Sequence, residues 1–246
     1  MATPVVNVRD FGAKGDGITN DTAAFQCASY VLNNAGGGTL IIPPGTYVVG
    51  RQYYDPNPDG PYFKPEPIVE IKDCKHPVVI RGIGRPRPIL RAANGLKYGS
   101  FDQNGQPVDP LKPVDPPAEE KTEEELNELA QKYGVIAYWG MINLTGNTNK
   151  ILVDNLELDG NIAGLELGGS HTHYGTCQCA TSGIHAEANH HVEITHVYTH
   201  HHGLDGIFIG HSNLNEADPP YPHTILNVVS EYNGHQCQAT PKNCTS

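Results

Sequence analysis

A loose internal repeat in the carboxyl-terminal half constrains the fold of this chain more than any other feature. Three segments align without gaps, VDNLELDGN from Val153, ITHVYTHHHG from Ile194 and ILNVVSEYNG from Ile225, and VIRGIG near Ile80 is a shorter copy. In each segment apolar residues alternate or cluster over a few positions, and a turn follows. Strands of this kind cannot bury their apolar side alone, so the repeat predicts coils that stack on one another as parallel strands.

The alignment also predicts columns of equivalent side chains along the stack. One column holds Asn155, His196 and Asn227, and a second holds Asn161, His202 and Asn233. Side chains of this type satisfy the backbone groups of turns, so we interpret both columns as structural, with a chemical role as the alternative. A further copy, Gly183-Ile184-His185 against Gly206-Ile207-Phe208, has a spacing of 23 residues that suits a single coil.

The first fifty residues carry a second signal. Residues 7–17 read NVRDFGAKGDG, ITNDTAAFQ follows, and a helical stretch leads to GGGTLIIPPGTYVVG. Asn20 and Asp21 occupy the N-cap region of this helix, and the glycines from Gly36 end it. This order resembles the amino-terminal segment of the pectate-lyase-like superfamily of right-handed parallel β-helix proteins, which includes polysaccharide lyases, some glycoside hydrolases and phage tailspike depolymerases.

The resemblance implies an all-β, right-handed parallel β-helix in which an α-helix over residues 21–34 covers one end of the stack. The residues alone leave a βαβ unit of an α/β protein as the alternative. We expect a single domain over residues 1–246, with a cap over 1–50, an insertion over 101–134, parallel coils over 38–235 and the clearest coils over 149–235.

The insertion is acidic and proline-rich. Residues 109–128 hold eight acidic residues against Lys112 and Lys121, which predicts a solvated projection, with a recognition element as the alternative. The net charge is −11 and no Arg follows residue 134, so a nucleic-acid groove is excluded. No apolar run is long enough for a membrane helix.

Several features bear on the compartment. The first residues lack the layout of a signal peptide, so the protein is either cytosolic or has lost its signal. Six cysteines and the sequons at Asn20, Asn143 and Asn243 favour an extracellular or cell-surface protein with disulfides, among them a loop closed by Cys237 and Cys244.

Histidines are concentrated in the repeat region, where twelve of the thirteen lie between His171 and His235. Imidazole suits both proton transfer near neutral pH and metal binding. Their spacings match no zinc signature, however, and the three side chains from His200 to His202 cannot all point the same way on one turn. We therefore expect no dedicated metal site among them, while calcium remains open as a cofactor.

The phrase HHHGLDGIFIG, residues 200–210, resembles the NGLDGF phrase of mannuronan carbon-five epimerases. In those enzymes a Tyr-Gly-Phe-Asp-Pro-His motif one coil earlier carries the acid/base residues. The matching stretch here, residues 181–187, keeps neither the Tyr nor the Asp-Pro-His, but it places His185 and Glu187 on one side of a strand.

Two other mechanisms of the superfamily do not transfer. Calcium-dependent pectate lyases use an Arg base, which here only an early residue such as Arg81 or Arg91 or a further part of the protein could supply. Polygalacturonase-type hydrolases carry an Asp-Asp pair, where this chain has Leu204-Asp205. The predicted catalytic residues are Asp159, His185, Glu187, His200 and Asp205, and the predicted substrate-binding residues are His173, Tyr174 and His211.

These residues favour a lyase or glycoside hydrolase that acts on an acidic polysaccharide along the groove of the stacked coils. The alternative is a non-catalytic β-helix, adhesin-like or filament-forming, in which the polar columns are only ladders. Because the repeat from Ile225 has no following strand, we expect the chain either to associate through this edge or to continue in a longer protein.

Overall fold

A computed structural model describes residues 3–56, 62–99, 101–107, 122, 138–168, 180–210 and 223–234. Their strands form three parallel sheets, which we call sheets I, II and III, wound as a right-handed parallel β-helix. Sheet I contains β1 (Val5–Asn7), β3 (Gly38–Ile42), β8 (Val78–Gly82), β12 (Lys150–Asp154), β16 (His191–Thr195) and β19 (Thr224–Leu226). Sheet II contains β2 (Asp16–Asn20), β4 (Thr46–Val49), β9 (Ile89–Ala92), β13 (Glu157–Asp159), β17 (Tyr198–His200) and β20 (Val229–Glu231). Sheet III contains β7 (Val69–Lys72), β11 (Tyr138–Thr145), β15 (Ala180–Glu187) and β18 (Ile207–Ile209).

The second to fifth coils each take one strand from each sheet in the order I, II, III. The fourth coil is β12, β13 and β15, and the fifth is β16, β17 and β18. Two small pairs lie outside the three sheets: the antiparallel strands β5 (Gln52–Tyr54) and β6 (Phe63–Pro65), and the parallel strands β10 (Lys97–Tyr98) and β14 (Glu166–Leu167). The predicted fold class is confirmed, and the βαβ alternative is wrong.

The sequence repeat corresponds to the register of the stack. Val153 pairs with Ile194, and Ile194 pairs with Ile225, as the gapless alignment requires. Ile184 likewise pairs with Ile207 one coil later. Apolar side chains at every second position point inward and form one continuous core along the stack, with Ile80, Val153 and Ile194 all fully buried. Each such side chain contributes about 1.5–3 kcal/mol by leaving water.

The helix α1 (Thr22–Ala35) takes the place of a sheet III strand in the first coil. Phe25 and Leu32 are fully buried against the core. The Asn33 side chain donates to the carbonyl of Glu70 at 2.8 Å and accepts from the amide of Lys72 at 3.1 Å. Since β7 is the edge strand of sheet III, the helix satisfies backbone groups that would otherwise be open to another chain.

The helix ends as predicted, but its start differs in detail. Gly36 is the C-cap, with a φ of 69° that favours glycine. Asp21 is the N-cap residue but makes no capping bond, because its carboxylate accepts from the amides of Lys14 and Gly15. Asn20 caps instead, accepting from the amide and hydroxyl of Thr22.

The parallel coils begin earlier than residue 38. β1 pairs with β3 and β2 pairs with β4, both in parallel, so the amino-terminal segment is itself the first coil. The sequence concealed this because α1 separates the two members of each pair.

The structural interpretation of the two columns agrees with the contacts. Asn155, His196 and Asn227 all have φ near 55°, a conformation in which Asn and His are more frequent than most residues. In the second column, Asn161 donates to the carbonyl of Ala92 at 2.8 Å, and Nε2 of His202 donates to that of Leu158 at 3.2 Å. His202 is fully buried, and this burial lowers the pKa of its imidazole to about 3, so it is neutral.

Several predictions concern parts of the chain outside the described residues. Most of the insertion at 101–134 and the cysteines at 177, 179, 237 and 244 lie there. Cys27 and Cys74 are free thiols. In the described part of the chain, no helix has the length and apolar character needed to cross a membrane. The apolar residues of β19 and β20 are about half exposed, at 54% for Ile225 and 52% for Val229, and self-association through this edge stays a prediction.

Candidate functional site

The predicted catalytic residues divide between two sheets. His185 and Glu187 lie on β15 of sheet III, and Asp205 immediately precedes β18 of the same sheet. Asp159 and His200 lie on β13 and β17 of sheet II. The predicted binding residues His173, Tyr174 and His211 are outside the described residues.

His185 and Glu187 lie on the outer face of sheet III. The alternation of a strand sends Ile184 and Ala186 into the core and turns His185 and Glu187 outward. His185 Nε2 and Glu187 Oε2 are 3.6 Å apart, and the exposed fractions of the two side chains are 11% and 58%. The pair therefore combines a sheltered imidazole with a carboxylate that is open to solvent.

Phe208 shelters this imidazole, and sequence reasoning did not select it as a functional residue. It pairs with His185 in the register of β15 and β18, and the two rings stack with centroids 4.7 Å apart and planes at 9°. Phe208 itself is 37% exposed. The sequence does contain a signal for Phe208. Gly206-Ile207-Phe208 repeats the pattern of Gly183-Ile184-His185, which places Phe208 one coil beyond His185.

Asp205 lines a cavity together with Ile207, Ile225 and Val228, and it is not seen in contact with Glu187. Burial raises the pKa of the Asp205 carboxyl, and the charge of His185 opposes that rise. Its backbone carbonyl accepts from the amide of Gly183 at 3.0 Å, so the residue also joins the fourth and fifth coils.

Polar residues continue along the face on the preceding coils. Glu70, Asn143 and His185 occupy one row across β7, β11 and β15, and Lys72, Thr145 and Glu187 occupy the next. Lys72 and Glu70 form an ion pair at 3.1 Å. Because strands are about 4.8 Å apart, Lys72 lies roughly 10 Å along the sheet from Glu187, within the length of one or two sugar residues.

The sheet II residues form a separate cluster. Arg91, Asp159 and His200 are directly aligned on β9, β13 and β17. Arg91 Nε donates to Asp159 Oδ2 at 2.7 Å, and the other carboxylate oxygen, Oδ1, is 3.7 Å from His200 Nδ1. His200 Nε2 is 3.4 Å from Glu157 Oε1. Asp159 and His200 are each only 7% exposed.

Tyr198 lies beside this cluster and connects it to the sixth coil. Its ring stacks on His200 with centroids 4.3 Å apart. Its hydroxyl donates to Glu231 at 2.7 Å, and this hydrogen bond raises the pKa of Tyr198 to about 12. The tyrosine is therefore protonated at neutral pH and is not a base.

His200 and His185 do not lie on one surface, because their strands belong to different sheets. Residues 201–206 form the corner between sheet II and sheet III. The outer faces of β17 and β18 therefore belong to different sheets, although the two strands are close in sequence. The sequence repeat specified which residues share a column, but not where each coil bends.

The described residues bring together no oxygen-rich group that would fit the calcium that the sequence left open. Calcium takes about six to eight oxygen ligands. Among the described residues, the one group of three or more potential ligands comprises Asp159, His200 and His201, in which nitrogen predominates. No catalytic step is therefore assigned to calcium.

Residues 5–105 match the family described as "Rhamnogalacturonase A/epimerase, pectate lyase-like". The chain is 58% identical over 103 residues to alginate lyase 7 of Azotobacter vinelandii, an alignment that covers 39% of this chain and 12% of that protein. It is 56% identical over 43 residues to the mannuronan C5-epimerase AlgE1 of the same organism, covering 18% of this chain and 3% of the relative.

Among solved structures, the chain is similar to the A-module of the Azotobacter vinelandii mannuronan C-5 epimerase AlgE6. The TM-score is 0.48 at 19% identity, over 92% of this chain and 44% of that one. The chain thus spans only a small part of the curated relatives that it matches, and less than half of this solved module.

Proposed function

We propose that this chain, whose residues 5–105 match a pectate-lyase-like family, acts on a uronate polysaccharide of the alginate type at the outer face of sheet III. The names of alginate lyase 7 and the mannuronan epimerases support this class of substrate. The observation that carries the proposal is the pair formed by His185 and Glu187 on the open face of β15.

We propose β-elimination as the reaction. His185 takes the proton from the carbon beside the uronate carboxylate, and Glu187 stabilises the imidazolium that forms. The electron pair left behind forms a carbon–carbon double bond as the glycosidic carbon–oxygen bond breaks. His185 then returns the proton to the leaving oxygen, so that atoms and charge balance.

Phe208 and Lys72 supply the surroundings of this step. The exposed part of the Phe208 ring offers an apolar platform for a sugar. Lys72 provides a positive charge for a carboxylate further along the polymer.

We further propose that the protein works outside the cell, where such polymers occur. The extended outer face of sheet III, with polar residues on successive coils, suits a long polysaccharide. This assignment is tested by the accumulation of the protein in the culture medium of its natural host.

The activity is tested by incubating the purified chain with alginate fractions rich in either uronate, and with pectate. The expected product absorbs in the ultraviolet as an unsaturated uronate, and new reducing ends form at the same rate. His185→Gln is expected to lower the rate about 100-fold or more, the usual range for an acid/base group, and Glu187→Gln should also lower it because the imidazolium loses its counter-charge.

Glu193→Gln is the matched control, since Glu193 is also a strand carboxylate but lies on sheet I beside Lys150. It should leave the rate unchanged. New reducing ends without ultraviolet absorbance would replace elimination with hydrolysis, and exchange of the proton beside the carboxylate without cleavage would replace it with epimerisation. No change in any polymer would overturn the proposal in favour of a non-catalytic β-helix.

A further inference from the structure

Three side chains of the sheet II cluster bring their donor atoms together. Asp159, His200 and His201 each offer one potential ligand atom, and these atoms all lie within 4.8 Å of one another. His200 Nδ1 is 2.6 Å from His201 Nδ1 and 3.7 Å from Asp159 Oδ1. In a tetrahedral zinc site, ligand atoms about 2.0–2.1 Å from the metal are separated by roughly 3.3 Å, so the observed distances bracket that value.

The backbone explains how two adjacent histidines converge. His201 has a φ of 55°, a conformation that turns its ring back toward His200. His202, the third of the run, points into the core instead and donates to Leu158. The three side chains do not all point the same way, as expected, but His200 and His201 converge, so the argument against a metal site does not apply to these two.

The hydrogen-bond partners of His200 favour a lone pair, rather than a proton, at Nδ1. Its Nε2 faces Glu157 Oε1 at 3.4 Å, which assigns the proton to Nε2. Nδ1 then approaches His201 Nδ1 as an acceptor. A carboxylate that holds the far nitrogen of a ligating histidine is a common feature of metal sites, where it fixes the tautomer and the direction of the ring.

The charges around the three atoms also favour a cation. Asp159 and Glu157 contribute two negative charges, and Arg91 contributes one positive charge through its bond to Asp159 Oδ2. The remaining oxygen, Oδ1, accepts from the amide of Asn161 at 2.9 Å and retains a lone pair. The cluster therefore has a net charge of −1 when its histidines are neutral, before any metal binds.

We propose that Asp159, His200 and His201 bind one divalent transition-metal ion, with zinc as the representative, and that this ion fastens the fourth coil to the fifth. Two imidazoles and one carboxylate suit zinc better than calcium or magnesium, which prefer oxygen. His201 also stacks on Tyr232 with centroids 5.3 Å apart, so the site extends to the sixth coil. The function is structural and independent of the reaction proposed on sheet III.

The test uses the whole chain, freed of metal by a chelator and titrated with Zn²⁺ against a chromophoric competitor. The wild-type protein is expected to bind one tight equivalent and to melt at a higher temperature when it is loaded. His201→Asn and Asp159→Asn should each lose that equivalent and the accompanying shift in Tm. Asn is chosen at position 201 because it tolerates positive φ.

His196→Asn is the matched control. His196 is also a histidine with positive φ beside an aspartate, Asp154, and its neighbours in the column are asparagines. This variant should keep the tight equivalent, and circular dichroism should show that all variants are folded. Equal zinc stoichiometry and Tm shift in the wild type and the His201→Asn variant would assign the binding to other histidines and overturn the proposal, as would the absence of a tight equivalent in the wild type.

Discussion

His185 stacks face to face on Phe208 of the next coil, with ring centroids 4.7 Å apart and planes at 9°. The contact results directly from register, because the two residues are paired across β15 and β18. It leaves the imidazole sheltered on one side and directed toward Glu187 on the other. The proposed base is thus held by the stack itself rather than by a flexible loop.

Phe208→Ala removes the platform beside His185 and is expected to reduce kcat/KM by about threefold to tenfold, since aromatic stacking contributes about 0.5–1.5 kcal/mol. Steady-state kinetics on the polymer that the wild-type protein degrades provide the measurement. Phe208→Tyr keeps the ring and should retain the activity. Equal kinetics for the wild-type and Ala proteins would show that the platform takes no part.

The two hydrogen bonds between the Asn33 side chain and β7 are expected to stabilise the folded chain. Asn33→Ala removes both hydrogen bonds to the edge strand and should lower the free energy of unfolding by about 1–3 kcal/mol. Asn34→Ala makes the same chemical change at the next, exposed helix position and should cost nothing. Urea denaturation of both variants measures the difference, and equal stabilities would mean that the helix covers β7 by apolar packing alone.

His202 predicts a loss of stability in acid. Its pKa is about 3 in the folded chain, against 6.5 as the ordinary value, so the unfolded chain binds more protons between these two pH values. The contribution of neutral His202 is therefore fully present above about pH 6.5 and is lost as the pH falls toward 3. Urea midpoints at pH 7, 5 and 4 should fall in that order.

His202→Asn places in this column the residue that its neighbours Asn161 and Asn233 already carry. It should fold and show a flatter dependence of stability on pH. His202→Leu leaves the carbonyl of Leu158 without its donor and should cost about 1–3 kcal/mol at pH 7. An unchanged pH dependence in His202→Asn would assign the acid sensitivity to other groups.

The half-exposed apolar residues of β19 and β20 predict concentration-dependent association. Sedimentation at several concentrations should show oligomers, and Ile225→Lys, which places a charge on this exposed edge, should reduce them. Repeating the measurement with reductant tests the contribution of disulfides. A strict monomer under all of these conditions would contradict the prediction.

The sequence by itself determined the parallel coils, the register of their strands and the capping helix. Val153, Ile194 and Ile225 had to pair because a shift of one residue would expose every apolar side chain of the strand. The two columns of Asn and His followed from the same alignment. These features are periodic and local, so a single chain displays them without knowledge of its folded contacts.

The tertiary structure alone decided how the polar residues divide into sites. Asp159, His185 and His200 are equally polar in the sequence, but Asp159 and His200 lie on sheet II whereas His185 lies on sheet III. The positive φ of His201 then directs its ring to His200, while His202 turns inward. The geometry of a corner depends on how successive coils pack. A repeat pattern specifies which residues are equivalent, but it does not specify the direction in which their side chains point at each corner.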